Sequence, residues 1–286
     1  MTTEVLHQDE LPISTTLVRN LVDTNFPEYK ALSLRALSAT GSSNRNFRLG
    51  DEYLVRLPRQ PGGGESIDKE ARWTSILGNE LPVAVPDIVG VGAPAMEYPE
   101  QWSIVRWQPG SHPSTSSANR TDSGFAKSLA ELIGAFRKIS VTQEAQAEPS
   151  LRRHYRGNPL YQHDRRFREN LASCKALSEL DLDLDAALVI WEEALSLPAS
   201  PMTDDHWFHG DIVAENLLLD KAGQLTGLLD FGGVGLGDPT VDLHGCWEIL
   251  DADGREIVRQ RLGLSDEEWL RGRAWALAIA MMTFPY

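Results

Sequence analysis

The sequence predicts an α+β fold, with a small antiparallel sheet in the first third of the chain and a larger, mostly helical part after it. Short segments of alternating apolar and polar residues, separated by turn residues, are concentrated in that first third and indicate strands. Amphipathic spacing typical of helices dominates the rest, interrupted by one strand pair. Strands followed by helices favour an α+β layout, because a parallel sheet would require strands and helices to alternate.

The first part of the chain, residues 1–107, is predicted to form the smaller of two lobes. Ser14 stands where it would cap a first helix, since apolar residues with helical spacing follow it. Ser66 is expected to cap a second helix over 66–77. Strands are predicted at five segments: 31–37, 46–49, 53–57, 89–91 and 102–107.

The second part, residues 108–286, begins at a predicted hinge, Gln108-Pro109-Gly110, and is expected to form the larger lobe. Residues 140–160 are polar and irregular and carry no predicted element. Because the chain stops at Tyr286, directly after an apolar helix, a short C-terminal continuation is also expected. Helices are predicted over six segments: 123–139, 161–179, 184–196, 240–250, 254–262 and 265–283.

The composition narrows the class of protein. With 286 residues, of which 42% are hydrophobic and 24% charged, the chain is long enough for one large domain or two lobes. Its net charge of -14 and pI near 4.9 argue against nucleic-acid binding, for which a basic face is needed. The same charge is compatible with a cationic ligand.

Compartment and membrane signals point to a cytoplasmic protein. Cys174 and Cys246 lie far apart without metal-ligand spacing, as expected for buried thiols in a reducing compartment. The N-terminus has no apolar signal-peptide core, and no uninterrupted apolar run of about 18 residues exists to span a membrane. We therefore expect neither a membrane nor a nucleic-acid partner, and a monomer or weak dimer.

Residues 207–233 carry the most informative pattern of the sequence. Two strand-like segments, Leu217 to Leu219 and Leu225 to Leu229, flank a turn at about residue 222, so they predict a hairpin. Asn216 and Asp230 are nearly equidistant from that turn, and Asp211 lies on the preceding loop. Two carboxylates and an amide oxygen are hard oxygen ligands, which suit magnesium (Mg2+) and a phosphate-bearing substrate.

The motifs together resemble the aminoglycoside phosphotransferase family, which shares the protein-kinase-like fold. The resemblance covers the chain from about residue 30 to its end. It rests on five features of this sequence: His209-Gly210-Asp211 followed after four residues by Asn216, the run Leu228-Leu229-Asp230-Phe231-Gly232, the segment Gly237-Asp238-Pro239, the pair Asp242-Leu243, and the strand Leu54 to Arg59.

The resemblance implies the chemistry of this hairpin. Asp211 matches the catalytic-loop aspartate, which orients the substrate hydroxyl and accepts its proton. Asn216 and Asp230 match the two magnesium ligands. The implied co-substrate is ATP or GTP, and the sequence leaves the choice open. Taken singly, each residue could instead be an ordinary turn residue.

The first lobe offers matching nucleotide contacts. Glu70, Trp73 and Leu77 share one helix face, so the Glu70 carboxylate faces a core and needs a partner, for which Arg56 is the natural candidate. By resemblance this pair corresponds to the phosphate-binding lysine and its glutamate, with arginine in place of lysine. Three loop residues match the phosphate-covering loop by position, although a plain hairpin turn is the alternative: Ser42, Ser43 and Asn44.

Three further assignments concern the surroundings of the motif. Trp107 could contact a purine base, but a core position is the favoured reading. His209 is expected to support the catalytic loop rather than to act as an acid or base. The segment Ile212 to Glu215 departs from the family's usual Leu-His-Pro-Gly, which places Glu215 beside the expected metal site.

The substrate is expected to be a small molecule with a hydroxyl group, and the charge of the chain is compatible with a cationic one. Aminoglycoside-type antibiotics lead, with a macrolide or a small metabolic alcohol or amino alcohol as alternatives. Acidic residues of the second lobe could bind a polycation, although most belong to solvated helix faces. A nucleotide-binding protein without catalysis is the alternative from another functional class. A phosphatase with an aspartyl nucleophile is disfavoured, because it would need a second aspartate two residues after Asp230, where this chain has Gly232. The candidate substrate residues are Asp242, Glu248 and Asp251.

Overall fold

The computed structural model describes residues 9–37, 43–115, 123–152, 156–177, 179–200 and 206–284. Its contacts divide the chain into two compact units, one of the described residues up to Ile76 with Val85–Pro109, and one of Leu77–Ala84 with the described residues from Gly110 onward. The sequence predicts a single boundary after residue 107, whereas in the structure the first unit extends to Pro109 and residues 77–84 belong to the second unit. The segment that ends at Ala84 joins the second unit because its backbone pairs there, with Ala84 N donating to Thr226 O at 2.9 Å.

The first unit is built on a five-stranded antiparallel sheet, in which the fifth strand of the chain lies between the third and the fourth. Each strand lies at one of the predicted segments, with shifted ends. The strands are β1 (Leu34–Ala36), β2 (Asn44–Leu49), β3 (Tyr53–Pro58), β4 (Ile88–Gly92) and β5 (Trp102–Arg106). In this register Arg56, in the central strand β3, lies opposite Asn46 on one side and Ser103 on the other.

Helix α1 (Thr15–Asn25) covers the core of this sheet. Ser14 caps it as predicted, accepting a hydrogen bond from Leu17 N at 3.1 Å. Three residues of α1 are fully buried, at the spacing of one helix face, and join the core of the first unit. That core contains Val18, Leu21, Val22, Phe47, Leu49, Val55, Leu57, Tyr98, Trp102 and Ile104.

Helix α2 (Gly64–Gly78) begins two residues before the predicted N-cap, Ser66. The prediction is wrong because the cap comes from a distant residue. The Glu100 carboxylate accepts hydrogen bonds from Gly62 N at 2.8 Å and from Gly64 N at 2.9 Å. A carboxylate at a helix N-terminus satisfies free N–H groups and interacts favourably with the helix dipole.

The second unit is mainly helical and contains two short strand pairs. Its helices are α3 (Ser123–Phe136), α4 (Gln143–Ala147), α5 (Asp164–Lys175), α6 (Leu184–Leu195), α7 (Gly245–Ile249), α8 (Ala252–Leu262) and α9 (Asp266–Thr283). The helix predicted over 240–250 is instead a 3-10 helix, Pro239–His244, followed by the short α7. Asp238 caps the 3-10 helix by accepting from Thr240 N at 2.9 Å. The predicted α+β class is confirmed.

The apolar centre of the second unit joins its helices. Phe167 of α5 and Trp191 of α6 stack with ring centroids 4.1 Å apart. Trp275 and Met281 of α9 belong to the same buried cluster. Among the described helices, none has the length and hydropathy needed to cross a bilayer.

Candidate active site

Two nested strand pairs frame the residues of the predicted motif. Strand β6 (His206–Phe208) pairs with β9 (Gly235–Gly237), and between them β7 (Leu217–Leu219) pairs with β8 (Leu225–Leu228). Both pairs are antiparallel, so the chain leaves β6, forms the inner hairpin and returns to β9. Two loops, 209–216 and 229–234, therefore connect the same two ladders.

The inner hairpin turns where the sequence predicts. Asp220 Oδ1 accepts hydrogen bonds from Ala222 N at 2.8 Å and Gln224 N at 2.9 Å, and Gly223 has a φ of 78°. Glycine adopts this left-handed conformation without strain because it has no Cβ atom. Leu217 faces Leu228, and Leu229 N donates to Asn216 O at 2.7 Å, so Asp230 lies one residue beyond the position opposite Asn216.

The backbone at the start of the first loop is held by Asp242. Its carboxylate accepts from His209 N at 2.8 Å and from Gly210 N at 2.6 Å. Burial raises the pKa of Asp242 to about 7, while these two hydrogen bonds act in the opposite direction. Because Asp242 is only 1% exposed, the expectation that it contacts substrate is wrong. It supports the loop from behind.

His209 supports the same loop from within, as predicted. Its Nδ1 accepts from Asp211 N at 3.2 Å, and its Nε2 lies 3.1 Å from Leu229 O, so the neutral tautomer that carries hydrogen on Nε2 satisfies both contacts. Burial lowers the pKa of His209 to about 4, which keeps the ring neutral. The ring also packs edge-on against Phe231 of the second loop, with centroids 5.0 Å apart.

The Asp211 carboxylate is held at both oxygens. Arg156 Nη1 donates to Asp211 Oδ1 and, at 2.5 Å, to Gly210 O. Asn216 Nδ2 donates to Asp211 Oδ2 at 3.0 Å and to Asp211 O at 2.9 Å. Burial alone would raise the pKa of Asp211, but the charge and hydrogen bond of Arg156 outweigh it and lower the pKa, so Asp211 is a carboxylate.

Asp230, the second residue of the second loop, has an unusual backbone conformation, with φ at 58°. Its Oδ1 accepts from Gly232 N at 3.3 Å. Glu215 is exposed, yet the pKa of its carboxyl is raised by local burial and then by the negative charges of Asp211 and Asp230. The Glu215 carboxylate is therefore close enough to those of Asp211 and Asp230 to be repelled by both.

The donors of this site fit a magnesium ion. In the part of the chain that the structure describes, no group of three or more His, Cys, Asp or Glu side chains could hold a metal alone. Mg2+ does not require one, because it is usually bound through one or two protein ligands, substrate phosphates and waters. Since Asn216 Nδ2 donates to Asp211, the amide oxygen of Asn216 is not used by this contact and is an oxygen donor of the kind that Mg2+ prefers.

The predicted pair in the first unit is formed. Arg56 Nη1 lies 2.6 Å from Glu70 Oε2, and the side chains are 9% and 1% exposed. Of the three predicted loop residues, Ser42 lies outside the described residues. Ser43 O accepts from Arg59 N at 2.9 Å, and Asn44 opens strand β2.

Trp107 is not a core residue. Its side chain is 42% exposed, so the favoured reading of the sequence is wrong. The Arg48 guanidinium lies 3.9 Å from the ring centroid, in cation–π contact. Trp107 N donates to Glu52 O at 2.7 Å, which fixes the backbone beneath the ring.

The remaining predicted substrate residues have local partners. Glu248 Oε1 accepts from Ala214 N at 3.4 Å, which ties α7 to the first loop. Asp251 is the N-cap of α8 and accepts from Gly254 N at 2.8 Å. Arg156, which contacts Asp211, carries no signal in the sequence, because it lies in an irregular polar stretch 55 positions away.

The chain is similar to known phosphotransferases. Residues 34–275 match the model of the phosphotransferase enzyme family, APH. No curated protein matches the chain. The GDP complex of wild-type aminoglycoside 2'-phosphotransferase-IIIa has a TM-score of 0.71 at 19% identity, with 94% of this chain and 89% of that one covered.

Two further solved structures are similar. The streptomycin–ATP–APH(2")-IIa ternary complex has a TM-score of 0.63 at 16% identity, covering 92% of this chain and 86% of that one. The apoenzyme of macrolide 2'-phosphotransferase MphH from Brachybacterium faecium has a TM-score of 0.62 at 20% identity, covering 93% and 89%. These similarities confirm the predicted protein-kinase-like fold. Because the family model spans most of its length, this chain belongs to the phosphotransferase enzyme family and is a phosphotransferase.

Proposed function

We propose that the protein is a magnesium-dependent kinase that moves the γ-phosphate of ATP or GTP to a hydroxyl group of an aminoglycoside-type antibiotic. The observation that carries the proposal is the Asp211 carboxylate, ionised and held at both oxygens by Arg156 and Asn216. Such a carboxylate is suited to orient a hydroxyl and to receive its proton.

In the proposed reaction the acceptor hydroxyl oxygen forms a bond to the γ-phosphorus, and the bond from that phosphorus to the leaving nucleoside diphosphate breaks. The hydroxyl proton passes to the Asp211 carboxylate. Asn216 and Asp230 would hold Mg2+, which when bound neutralises charge on the phosphates. Little covalent work falls to the protein, because phosphoryl transfer depends mainly on positioning and charge stabilisation.

The first unit is proposed to bind nucleotide. Arg56, oriented by Glu70, would hold phosphate oxygens through the fork of its guanidinium. The loop that contains Ser42, Ser43 and Asn44 would cover the phosphates with backbone N–H groups. The exposed ring of Trp107 leaves base stacking open as its role.

The acceptor class rests on charge and similarity. A net charge of -14 favours a polycationic acceptor. Of the three similar structures, one is an aminoglycoside phosphotransferase, one is a complex with streptomycin, and one is a macrolide phosphotransferase. A macrolide is therefore the second candidate. The corrected place of Asp242 leaves Glu248 and Asp251 as the proposed acidic contacts, and both already hold backbone N–H groups.

A substrate screen with a matched pair of variants tests the proposal. Wild type is assayed with ATP and with GTP against aminoglycosides, macrolides and small amino alcohols. We expect transfer to an aminoglycoside, and Asp211→Asn should lower kcat by about 100- to 10,000-fold, the usual share of a general base. Asp220→Asn, at the turn of the same hairpin, is the control and should keep wild-type activity.

The result also separates the alternatives. Transfer only to a macrolide or a metabolite would replace the proposed acceptor. Thermal stabilisation by Mg-nucleotide with no transfer to any acceptor would support a binding protein without catalysis. Full activity in Asp211→Asn would overturn the proposed mechanism.

A further inference from the structure

Arg156 reaches Asp211 from a backbone that is tightly fixed. The next residue, Gly157, has a φ of 80°, and a Cβ there would lie 2.3 Å from Phe208 Cε1. Gly157 O accepts from Asp238 N at 2.9 Å. The Gly-Asp-Pro segment of the family motif therefore anchors the point from which the Arg156 side chain extends.

Arg156 completes the fixation of the loop that carries Asp211. Asp242 holds Gly210 at its N–H, and Arg156 holds the same residue at its carbonyl oxygen. The Asp211 side chain is then oriented by one donor on each oxygen, Arg156 on Oδ1 and Asn216 on Oδ2. Two donors on opposite oxygens define the plane of the carboxylate, which one donor could not do.

Arg156 also supplies positive charge where the loop has none. Between Asp211 and Asn216 the sequence is Ile-Val-Ala-Glu, so its one charged side chain is the acidic Glu215. Asp230 adds a second negative charge close enough to act on Glu215. With its side chain only 13% exposed, Arg156 offsets these charges more strongly than a solvated arginine would.

We propose that Arg156 is a positioning residue for phosphoryl transfer, which sets the orientation of the Asp211 carboxylate toward the acceptor hydroxyl. This inference rests on the proposed function. It assigns Arg156 an effect on the chemical step rather than on substrate affinity. A displacement of the aspartate by about 1 Å is enough to cost on the order of 100-fold in rate.

Kinetics of three variants test the role. Arg156→Met keeps the length of the side chain but removes charge and donors, and we expect kcat to fall by about 100-fold with KM for nucleotide and acceptor near wild type. Arg156→Lys keeps the charge without the fork and should retain an intermediate kcat. Arg152→Met, an exposed arginine four positions earlier, is the matched control and should behave as wild type.

Chemical rescue separates positioning from a structural role. Millimolar guanidinium added to Arg156→Ala should restore part of kcat, and it should restore nothing in Asp211→Asn. A folded Arg156→Met with wild-type kcat would overturn the inference. So would a loss of kcat that follows the loss of thermal stability and resists guanidinium. Wild type that transfers phosphate to no acceptor would instead count against the proposed function.

Discussion

Gly245, at the start of α7, lies directly under the loop that carries Asp211. A Cβ at this position would stand 1.9 Å from Ile212 O, where real Cβ atoms essentially never come closer than 3.0 Å. The backbone of Gly245 has φ at -60°, so alanine is disfavoured by this contact alone and not by its conformation. Gly245→Ala must therefore displace either α7 or the peptide next to Asp211 by about 1.1 Å.

That displacement sets the expected size of the effect. Overpacking of this kind costs about 1–3 kcal/mol of stability, which lowers Tm by roughly 2–10 °C in a protein of this size. If Asp211 has its proposed role, a shift of about 1 Å beside its carboxylate should lower kcat by on the order of 100-fold. The variant should thus lose far more activity than its stability explains.

The assay compares Gly245→Ala with Gly134→Ala, both by steady-state phosphotransfer and by thermal unfolding. Gly134 lies in α3, and its Cβ would meet only the end of the Leu262 side chain, at 3.2 Å. In a helix interior alanine is also more stabilising than glycine by about 0.5–1 kcal/mol, which offsets the close contact with Leu262. This control variant should therefore keep its kcat and its Tm. If the two variants have indistinguishable kcat and Tm, the reasoning from the Ile212 contact is refuted.

Two further predictions concern buried charges. Arg56→Met should lower the free energy of unfolding by about 3–5 kcal/mol because it removes the cation paired with the buried Glu70 carboxylate. The double variant with Glu70→Met should recover most of this loss in urea titrations, and equal losses in the single and double variants would contradict the reasoning. Burial lowers the pKa of His244 to about 4, below the value of about 6.5 in unfolded chains. At this residue the unfolded state binds more protons between those values, so the contribution of His244 to stability rises with pH across them. His244→Gln should flatten that rise in urea midpoints measured from pH 4 to 7, and an unchanged slope would argue against a buried neutral His244.

Local signals in the sequence are sufficient for the parts of the structure that are local. Ser14 caps α1 because its partner, Leu17 N, is three residues away. The hairpin around Gly223 follows from turn residues between two apolar segments. The α2 start at Gly64 could not be predicted in this way, because its cap, Glu100, lies 36 positions along the chain.

The same limit applies to the candidate site. The spacing of Asp211 and Asn216 within one loop is visible in the sequence, and Arg56 with Glu70 follows from helix periodicity. Asp242 is visible only as an acidic residue, and its burial behind Gly210 depends on how the 3-10 helix packs. The sequence favours a core position for Trp107, but in the structure the Arg48 guanidinium covers the face of a ring that lies at the surface.

The nesting of the two strand pairs identifies a position at which a foreign segment can be inserted into the protein. The inner ladder lies between the tip of the hairpin and the loops 209–216 and 229–234, and the outer ladder lies on the far side of those loops. The tip is therefore separated from both loops by the inner ladder. Lys221 and Ala222 are exposed, and the turn is closed by its own Asp220. A peptide tag or a small reporter domain inserted between Lys221 and Ala222 would leave the inner ladder to close below it. The tip of the hairpin is thus an insertion point that lies away from the loops 209–216 and 229–234.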